Sequence, residues 1–198
     1  MIVIMVALES ELSRQPTPPG TSLVHSGVGK VNAAIATAMA IVRHQPSMLV
    51  NFGTAGAIGT AGVTGTAARG LVEVGSVIQR DMVAVPLAPR GVTPFDHSSP
   101  QITNGREGLR CATGDSFVNQ EDPWLVEQKV DLVDMELFAI AHAANRFGVP
   151  WRAFKFVTDA ANRDAAEEWR ERVGDGELMF LEVVRSLSAF HESNRPSR

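Results

Sequence analysis

The stretch "VDLVDMELFAIAHAANRFGVPWRAFKFVTD", residues 130–159, decides the fold class of this chain. A short apolar strand leads directly into an amphipathic helix, and Gly148 stands where that helix should end. The segment "WRAFKFVTD" (151–159) then has the pattern of a second apolar strand. Apolar strands that alternate with helices are typical of sheets covered by helices on both faces. The stretch therefore predicts an α/β fold with a largely parallel sheet.

The rest of the chain continues this alternation. Further strands are predicted within residues 1–7, 21–29, 47–59, 71–85 (turning over at Gly75) and 108–118, and helices at 30–44 and at 165–190 with a break near 174–176. Residues 86–106 are rich in Pro, Gly and Ser, and a long loop is expected there.

The bulk composition is that of an ordinary soluble globular protein. The chain has 198 residues, of which 44% are hydrophobic and 20% charged, with a net charge of −4. No basic run suggests a nucleic-acid partner, and no apolar run reaches the roughly 20 residues that span a bilayer. The N-terminus lacks the basic segment and cleavage site of a signal peptide. A single cysteine, Cys111, excludes an internal disulfide and fits a reducing compartment, so we expect a cytoplasmic protein.

The glycine-containing segment "SGVGKVNAA" (26–34) does not match either common phosphate-binding pattern. It is not a P-loop, because Val24 stands where glycine is required and Val31 where Ser or Thr is required. It is an incomplete dinucleotide fingerprint, because Asn32 takes the place of the third glycine. A turn that merely packs a helix on a strand remains the alternative. The sequence also lacks Cys/His clusters with metal-ligand spacing and the Gly-x-Ser-x-Gly pattern.

Asp159 ends the strand "WRAFKFVTD", and its type and position allow two interpretations. Aspartate is a common N-cap of the helix that follows a strand. Ligands of α/β proteins, however, bind beyond the carboxyl ends of strands. The local sequence alone leaves both open.

Four groups of segments, taken together and in this order, resemble the 5′-methylthioadenosine/S-adenosylhomocysteine nucleosidases of the nucleoside phosphorylase superfamily. They are "ALESEL" (7–12), "SGVGKVNAA" (26–34) with "NFGTAGAI" (51–58), "TGDSFV" (113–118) with "VDMELFAIAHAANRFGVP" (133–150), and "KFVTDAAN" (155–162). The resemblance covers roughly residues 1–190. It implies a single-domain three-layer α/β/α sandwich with a mixed, largely parallel central sheet over 1–190, followed by a frayed tail at 191–198.

The resemblance implies hydrolysis of the N-glycosidic bond of adenine thioribosides, with two catalytic carboxylates. Asp159 matches the general acid that protonates or hydrogen-bonds N7 of adenine, and Glu11 matches the carboxylate that deprotonates the attacking water. Because bond breaking builds negative charge on the departing base, an acid there is useful and its pKa should be raised by burial.

The resemblance also implies a set of substrate contacts. These are Glu136 with the backbone of Met135 for the ribose hydroxyls, Phe117 and the backbone of Val118 for the base, Thr54 and Val28 for the ribose and water site, Trp169 as a lid residue, and Phe95 reaching across a dimer interface. Thr158, beside the acid, and Lys155, which stands where the family usually has Arg, complete the set. Asp134 stands where a Glu is usual.

Several alternatives remain open beside this reading. The chain could release another purine, as a futalosine hydrolase does; it could be a phosphorylase, with Arg14 and Arg43 as possible phosphate partners; or it could be a silent nucleoside-binding protein. A generic dinucleotide-binding module is a fourth. The resemblance implies a small-molecule nucleoside substrate, a homodimer, and no cofactor or metal.

Overall fold

The computed structural model describes residues 1–13, 17–59 and 68–193. The elements, in chain order, are β1 Ile2–Val6, β2 Thr21–His25, α1 Lys30–His44, β3 Met48–Ala57, β4 Gly70–Gln79, β5 Gln101–Thr103, β6 Leu109–Thr113, α2 Pro123–Glu127, β7 Leu132–Asp134, α3 Leu137–Arg146, β8 Trp151–Asp159, α4 Ala165–Arg172 and α5 Glu177–Ser193. The predicted strands and helices are thus confirmed in type and order.

The strands form one mixed sheet in the order β2-β1-β3-β7-β6-β4-β5, with β8 paired to both β3 and β4. Parallel pairs join β1 to β2 and β3, β3 to β8, and β6 to β4 and β7. Antiparallel pairs join β3 to β7 and β4 to β5 and β8. The mixed, largely parallel sheet is therefore confirmed. Because β8 bridges two strands, β3, β7, β6, β4 and β8 close into a ring.

Helices cover both faces of this sheet. All five residues of β1 are buried, as its unbroken apolar run predicts. On one face, Ala33 of α1 and Ile140 of α3 belong to a single large core cluster. On the other, Phe180 of α5 stacks on Phe52 of β3 with ring centroids 4.3 Å apart, a contact worth about 0.5–1.5 kcal/mol beyond area burial. The three-layer α/β/α arrangement is confirmed.

Strand β4 changes partner at Gly75, where the sequence predicts that it turns over. Residues 70–74 pair with β8, and residues 76–79 continue along β6 after a register shift. A Cβ on Gly75 would lie 2.6 Å from the carbonyl oxygen of Arg106, a contact that no side chain can make. Glycine therefore allows the close approach of two backbones at this bend.

Two short elements depart from the sequence predictions. The expected loop at 86–106 contains β5, a three-residue edge strand that buries Ile102. Helix α2 was not predicted; Asp122 caps it by accepting a hydrogen bond from the Trp124 amide, and Pro123 occupies its first turn.

The last described element, α5, continues to Ser193 and so extends three residues into the predicted tail. The described residues do not include Arg14, most of the Gly/Ala-rich loop at 59–70, or residues 194–198. The division into one domain and a tail stays a prediction. Among the helices that are described, none is long and apolar enough to cross a membrane.

Candidate active site

A pocket of about 190 Å³ opens where several strands end. Of the predicted site residues, nine line it: Glu11, Val28, Thr54, Phe117, Val118, Met135, Glu136, Asp159 and Trp169. Lys155 and Thr158 are buried next to lining residues. Phe95 does not line the pocket of its own chain; it is 87% exposed, so its predicted role depends on a second subunit.

Glu11 lies in the turn after β1 and is only 4% exposed. Its Oε1 accepts hydrogen bonds from the Thr54 amide and the Thr54 hydroxyl, both at 2.8 Å. Its Oε2 accepts a third from the Leu8 amide at 3.1 Å. A carboxylate has lone pairs for all three donors, so the side chain is held in one orientation at the pocket wall.

Asp159 closes β8 and faces the same pocket. Burial raises the pKa of its carboxyl, against the opposing effect of hydrogen bonds from the Ala161 amide and the Thr158 hydroxyl. Helix α4 begins only at Ala165. Asp159 therefore closes a local Asx turn rather than capping the helix, and the N-cap interpretation is wrong.

Glu136 precedes α3, but its carboxylate makes no capping bond to that helix. Its Oε1 instead accepts a hydrogen bond from the Gly29 amide at 2.9 Å. Burial, and then the charge of Asp134, raises the pKa of Glu136 to about 7. The side chain thus lines the pocket as a carboxyl group that is easily protonated near neutral pH.

A fully buried ion pair lies beneath these groups. Lys155 Nζ is 2.7 Å from Asp134 Oδ2. Burial alone would raise the pKa of Asp134, but the charge and hydrogen bond of Lys155, together with the hydrogen bonds from Thr113 and Leu137, lower it overall. The charge of Asp134, with that of Glu136, raises the pKa of Lys155 against the effect of burial. Asp134 also accepts hydrogen bonds from the Leu137 amide, at the start of α3, and from the Thr113 hydroxyl. The pair therefore fixes the segment that carries Glu136.

Two aromatic side chains form an apolar wall. Phe117 is 48% exposed, so it is a pocket residue rather than a core residue. Trp169 of α4 meets it edge to face, with ring centroids 6.4 Å apart. The indole Nε1 of Trp169 donates a 2.9 Å hydrogen bond to the Thr54 hydroxyl, which in turn donates to Glu11. Trp169 and the buried carboxylate are thus joined through one hydroxyl group.

Arg80 and Ser116 also line the pocket, although neither was predicted from the sequence. Arg80 follows β4 and is 6% exposed. Its guanidinium donates to the carbonyl oxygens of Gly114 and Ser116 and to the Ser116 hydroxyl. The only signal in the sequence was a charged residue directly after a strand.

The chemistry of the pocket is that of acids and bases beside an apolar slot. Buried carboxyl groups of Glu11, Glu136 and Asp159, beside that of the ion-paired Asp134, line one cavity together with Phe117 and Trp169. Environments that hold carboxyl groups in different protonation states allow one to act as an acid and another as a base. Among the described residues, no group of His, Cys, Asp and Glu side chains could hold a metal ion.

Comparison with known proteins gives consistent results. Residues 20–100 and 106–187 match the model of the phosphorylase superfamily. A 5′-methylthioadenosine/S-adenosylhomocysteine nucleosidase of Shewanella oneidensis is 31% identical over 164 residues, which cover 72% of this chain and 68% of that protein. The enzyme of the same name from Listeria innocua is 30% identical over 200 residues, covering 83% of this chain and 81% of its own.

The fold also matches solved structures. The S-adenosylhomocysteine nucleosidase of Streptococcus pyogenes, in complex with 5-methylthiotubericidin, superposes with a TM-score of 0.76 at 23% identity. The match covers 94% of this chain and 96% of that one.

Proposed function

The chain belongs to the phosphorylase superfamily and, within it, to the 5′-methylthioadenosine/S-adenosylhomocysteine nucleosidases, and we infer that it hydrolyses the N-glycosidic bond of adenine thioribosides. The observation that carries the mechanism is the meeting of Glu11, Glu136 and Asp159 in one pocket with an aromatic wall. These side chains come from three distant parts of the sequence. Their roles, given next, are proposals.

The leaving group is the purine, and Asp159 is its acid. As the glycosidic bond breaks, positive charge develops on the ribose and negative charge on the base. The raised pKa of Asp159 keeps the carboxyl protonated to a higher pH than usual, so that it can donate to N7. General acid catalysis of this kind contributes about 10²–10⁴-fold to the rate.

The nucleophile is water rather than phosphate, and Glu11 is its base. The Leu8 and Thr54 amides, which could otherwise bind an anion, already donate to the Glu11 carboxylate. A phosphate dianion placed there would meet a second negative charge. Arg80 is the one cation among the described pocket-lining residues, and its donors are directed to loop carbonyls. Arg43, the other possible phosphate partner, is exposed on α1 and does not line this pocket.

The substrate lies between the aromatic wall and the Glu136 carboxylate. The half-exposed ring of Phe117 offers a face for the base, and the backbone of Val118 can read its edge. The ribose hydroxyls donate to Glu136, whose own hydrogen bond from Gly29 holds it in place. Met135, which also lines the pocket, supplies backbone contacts beside it.

Product analysis by chromatography tests this function. Incubation with methylthioadenosine should give free adenine and methylthioribose equally well with and without phosphate. Asp159→Asn and Glu11→Gln should each lower kcat by about 10²-fold or more. Glu9→Gln is the matched control, because Glu9 is exposed two residues away and does not line the pocket.

Other products would replace this assignment. A sugar 1-phosphate formed only with phosphate would make the protein a phosphorylase. Release of hypoxanthine from its nucleoside, in preference to adenine, would make it a different purine nucleosidase. Full activity of Asp159→Asn would remove Asp159 from the mechanism.

We further propose a homodimer. One face of α1 exposes apolar side chains at helical spacing: Val31, Ile35, Met39 and Val42. Such a stripe on a helix surface is typical of a protein interface. Sedimentation equilibrium should give twice the chain mass, and Ile35→Lys should give the monomer; a monomeric wild-type protein would contradict the proposal.

The single cysteine, Cys111, is buried and free, which fits a cytoplasmic location testable by cell fractionation.

A further inference from the structure

Arg80 is a buried cation in the wall of the pocket, and the mechanism above gives it no task. It is 6% exposed, and desolvation lowers its pKa. Burying a guanidinium costs free energy unless its donors are satisfied. The terminal nitrogens of Arg80 are directed to acceptors of a single loop, namely the carbonyl oxygens of Gly114 and Ser116 and the Ser116 hydroxyl.

This loop connects β6 to the residues proposed to bind the base. Phe117 and Val118 follow Ser116 directly and line the pocket. Hydrogen bonds from a charged donor are roughly twice as strong as those between neutral groups. Arg80 therefore fixes the backbone immediately before the base-binding residues.

The neighbouring residue holds the same loop from the other side. Asp81 Oδ2 accepts a hydrogen bond from the Asp115 amide at 2.9 Å, and Asp81 Oδ1 pairs with Lys30 Nζ at 2.5 Å. Asp115 in turn accepts a 2.8 Å hydrogen bond from the Lys30 amide. Lys30 follows Gly29, whose amide donates to Glu136. The base loop and the ribose carboxylate are thus connected through the start of α1.

Gly114 makes room for the Arg80 side chain. A Cβ on Gly114 would lie 2.9 Å from both Cγ and Cζ of Arg80 and 3.0 Å from Cγ of Asp81. Real Cβ atoms essentially never come as close as the two distances to Arg80. Any side chain at position 114 would push the guanidinium away from the loop carbonyls.

We propose that Arg80 is a positioning residue for purine binding, which holds the loop at 114–116 so that Phe117 and Val118 meet the base. This inference rests on the proposed function, because it assumes that the base occupies that end of the pocket. Arg80 acts through the loop and does not itself take part in bond breaking. Its loss should therefore weaken binding of the base more than it slows the chemical step.

Arg80→Met is the primary test, because methionine keeps the apolar stem and removes every donor. The KM for methylthioadenosine and the Kd for free adenine, measured by calorimetry, should both rise about 10–100-fold. The kcat should stay within about threefold of wild type, as expected when binding of substrate and transition state is lost equally.

Arg110→Met is the matched control. Arg110 also donates to a backbone carbonyl, that of Gln128, and does not line the pocket. In both arginines the buried Nε has no hydrogen-bond partner among the described residues. It should leave the adenine Kd unchanged. Gly114→Ala should raise the adenine Kd as Arg80→Met does. The double variant should bind adenine no more weakly than either single variant.

Wild-type adenine affinity in Arg80→Met or Gly114→Ala would overturn the proposal, and so would an equal loss of affinity in Arg110→Met. A fall in kcat with unchanged KM would also contradict it. The adenine Kd separates this inference from the proposed function. A wild-type protein that does not cleave methylthioadenosine refutes the function, whereas the adenine measurement still decides the role of Arg80.

Discussion

Replacing Gly56 with alanine is expected to remove most of the catalysis while the fold persists. A Cβ at this position would lie 2.5 Å from Asp159 Oδ1, about 0.9 Å short of ordinary contact at 3.4 Å. Its next contacts, with Ala161 Cβ at 3.2 Å and Val133 Cγ2 at 3.3 Å, need shifts of only a few tenths of an ångström. The new methyl group therefore acts mainly on the carboxyl of Asp159.

The size of the expected loss in kcat follows from the displacement of the Asp159 carboxyl. The carboxyl of Asp159 must move by about 0.9 Å, and misplacement of a catalytic group by about 1 Å can cost about 10²-fold in rate. This lies within the total contribution expected of a general acid, about 10²–10⁴-fold. We therefore expect a kcat about 10²-fold below wild type.

The assay is the rate of adenine release from saturating methylthioadenosine, with thermal unfolding followed by circular dichroism. Gly53→Ala is the matched control on the same strand. Its Cβ would lie 3.3 Å from both Glu11 Oε1 and Lys155 Nζ, so a small shift relieves the contact. We expect it to lose less than about tenfold in kcat, because small displacements cost less.

Combination with Asp159→Asn checks the cause. If the methyl group acts only by displacing the acid, Gly56→Ala should add little to the defect of Asp159→Asn. A kcat of Gly56→Ala within about threefold of wild type would refute the reasoning. Fully additive losses in the double variant would show that the methyl group acts elsewhere.

Three further predictions concern the surrounding groups. Glu136→Gln should raise the free energy of unfolding by up to about 3 kcal/mol at pH 8. The pKa of Glu136 is raised from 4.5 to about 7 in the folded protein, so the wild type loses this stability as the pH rises from about 4.5 to about 7; in urea titrations the gain of the variant should vanish by about pH 4.5. Lys155→Met should lower the free energy of unfolding by about 3–5 kcal/mol in the same titrations, because it leaves Asp134 buried without its cation. A decrease below about 1 kcal/mol would contradict this prediction. Trp169→Phe keeps the ring but removes the hydrogen bond to Thr54, so kcat/KM should fall about 2–10-fold, and an unchanged value would show that this bond has no effect on turnover.

The sheet and its long helices could be predicted because they depend on patterns that are local in sequence. β1 is apolar throughout, and the Ala-rich α1 is followed by Pro46. The missed elements are too short for such patterns. β5 has three residues and exists because it pairs with β4, and α2 has five and depends on a cap at Asp122.

Only part of the candidate site could be predicted from patterns that are local in sequence. Asp159 and Glu136 stand next to strand ends, where the sequence shows them. The partners of Lys155 and Arg80 could not be predicted, because pairing with Asp134 and with the loop at 114–116 depends on how distant strands meet. From the sequence alone, Arg80 cannot be told from an exposed charged residue that follows the end of a strand.

The two carboxyl groups proposed as acid and base have different surroundings within one pocket. Glu11 accepts three hydrogen bonds, two of them from backbone amides, whose direction is fixed by the chain. Asp159 accepts hydrogen bonds from the Ala161 amide and the Thr158 hydroxyl, and burial outweighs both and raises its pKa. Both side chains lie against glycines of β3, at Gly53 and Gly56, where no Cβ competes for the space. The glycines of a single strand therefore leave room for both groups, and burial, against its hydrogen bonds, favours the acid role proposed for Asp159.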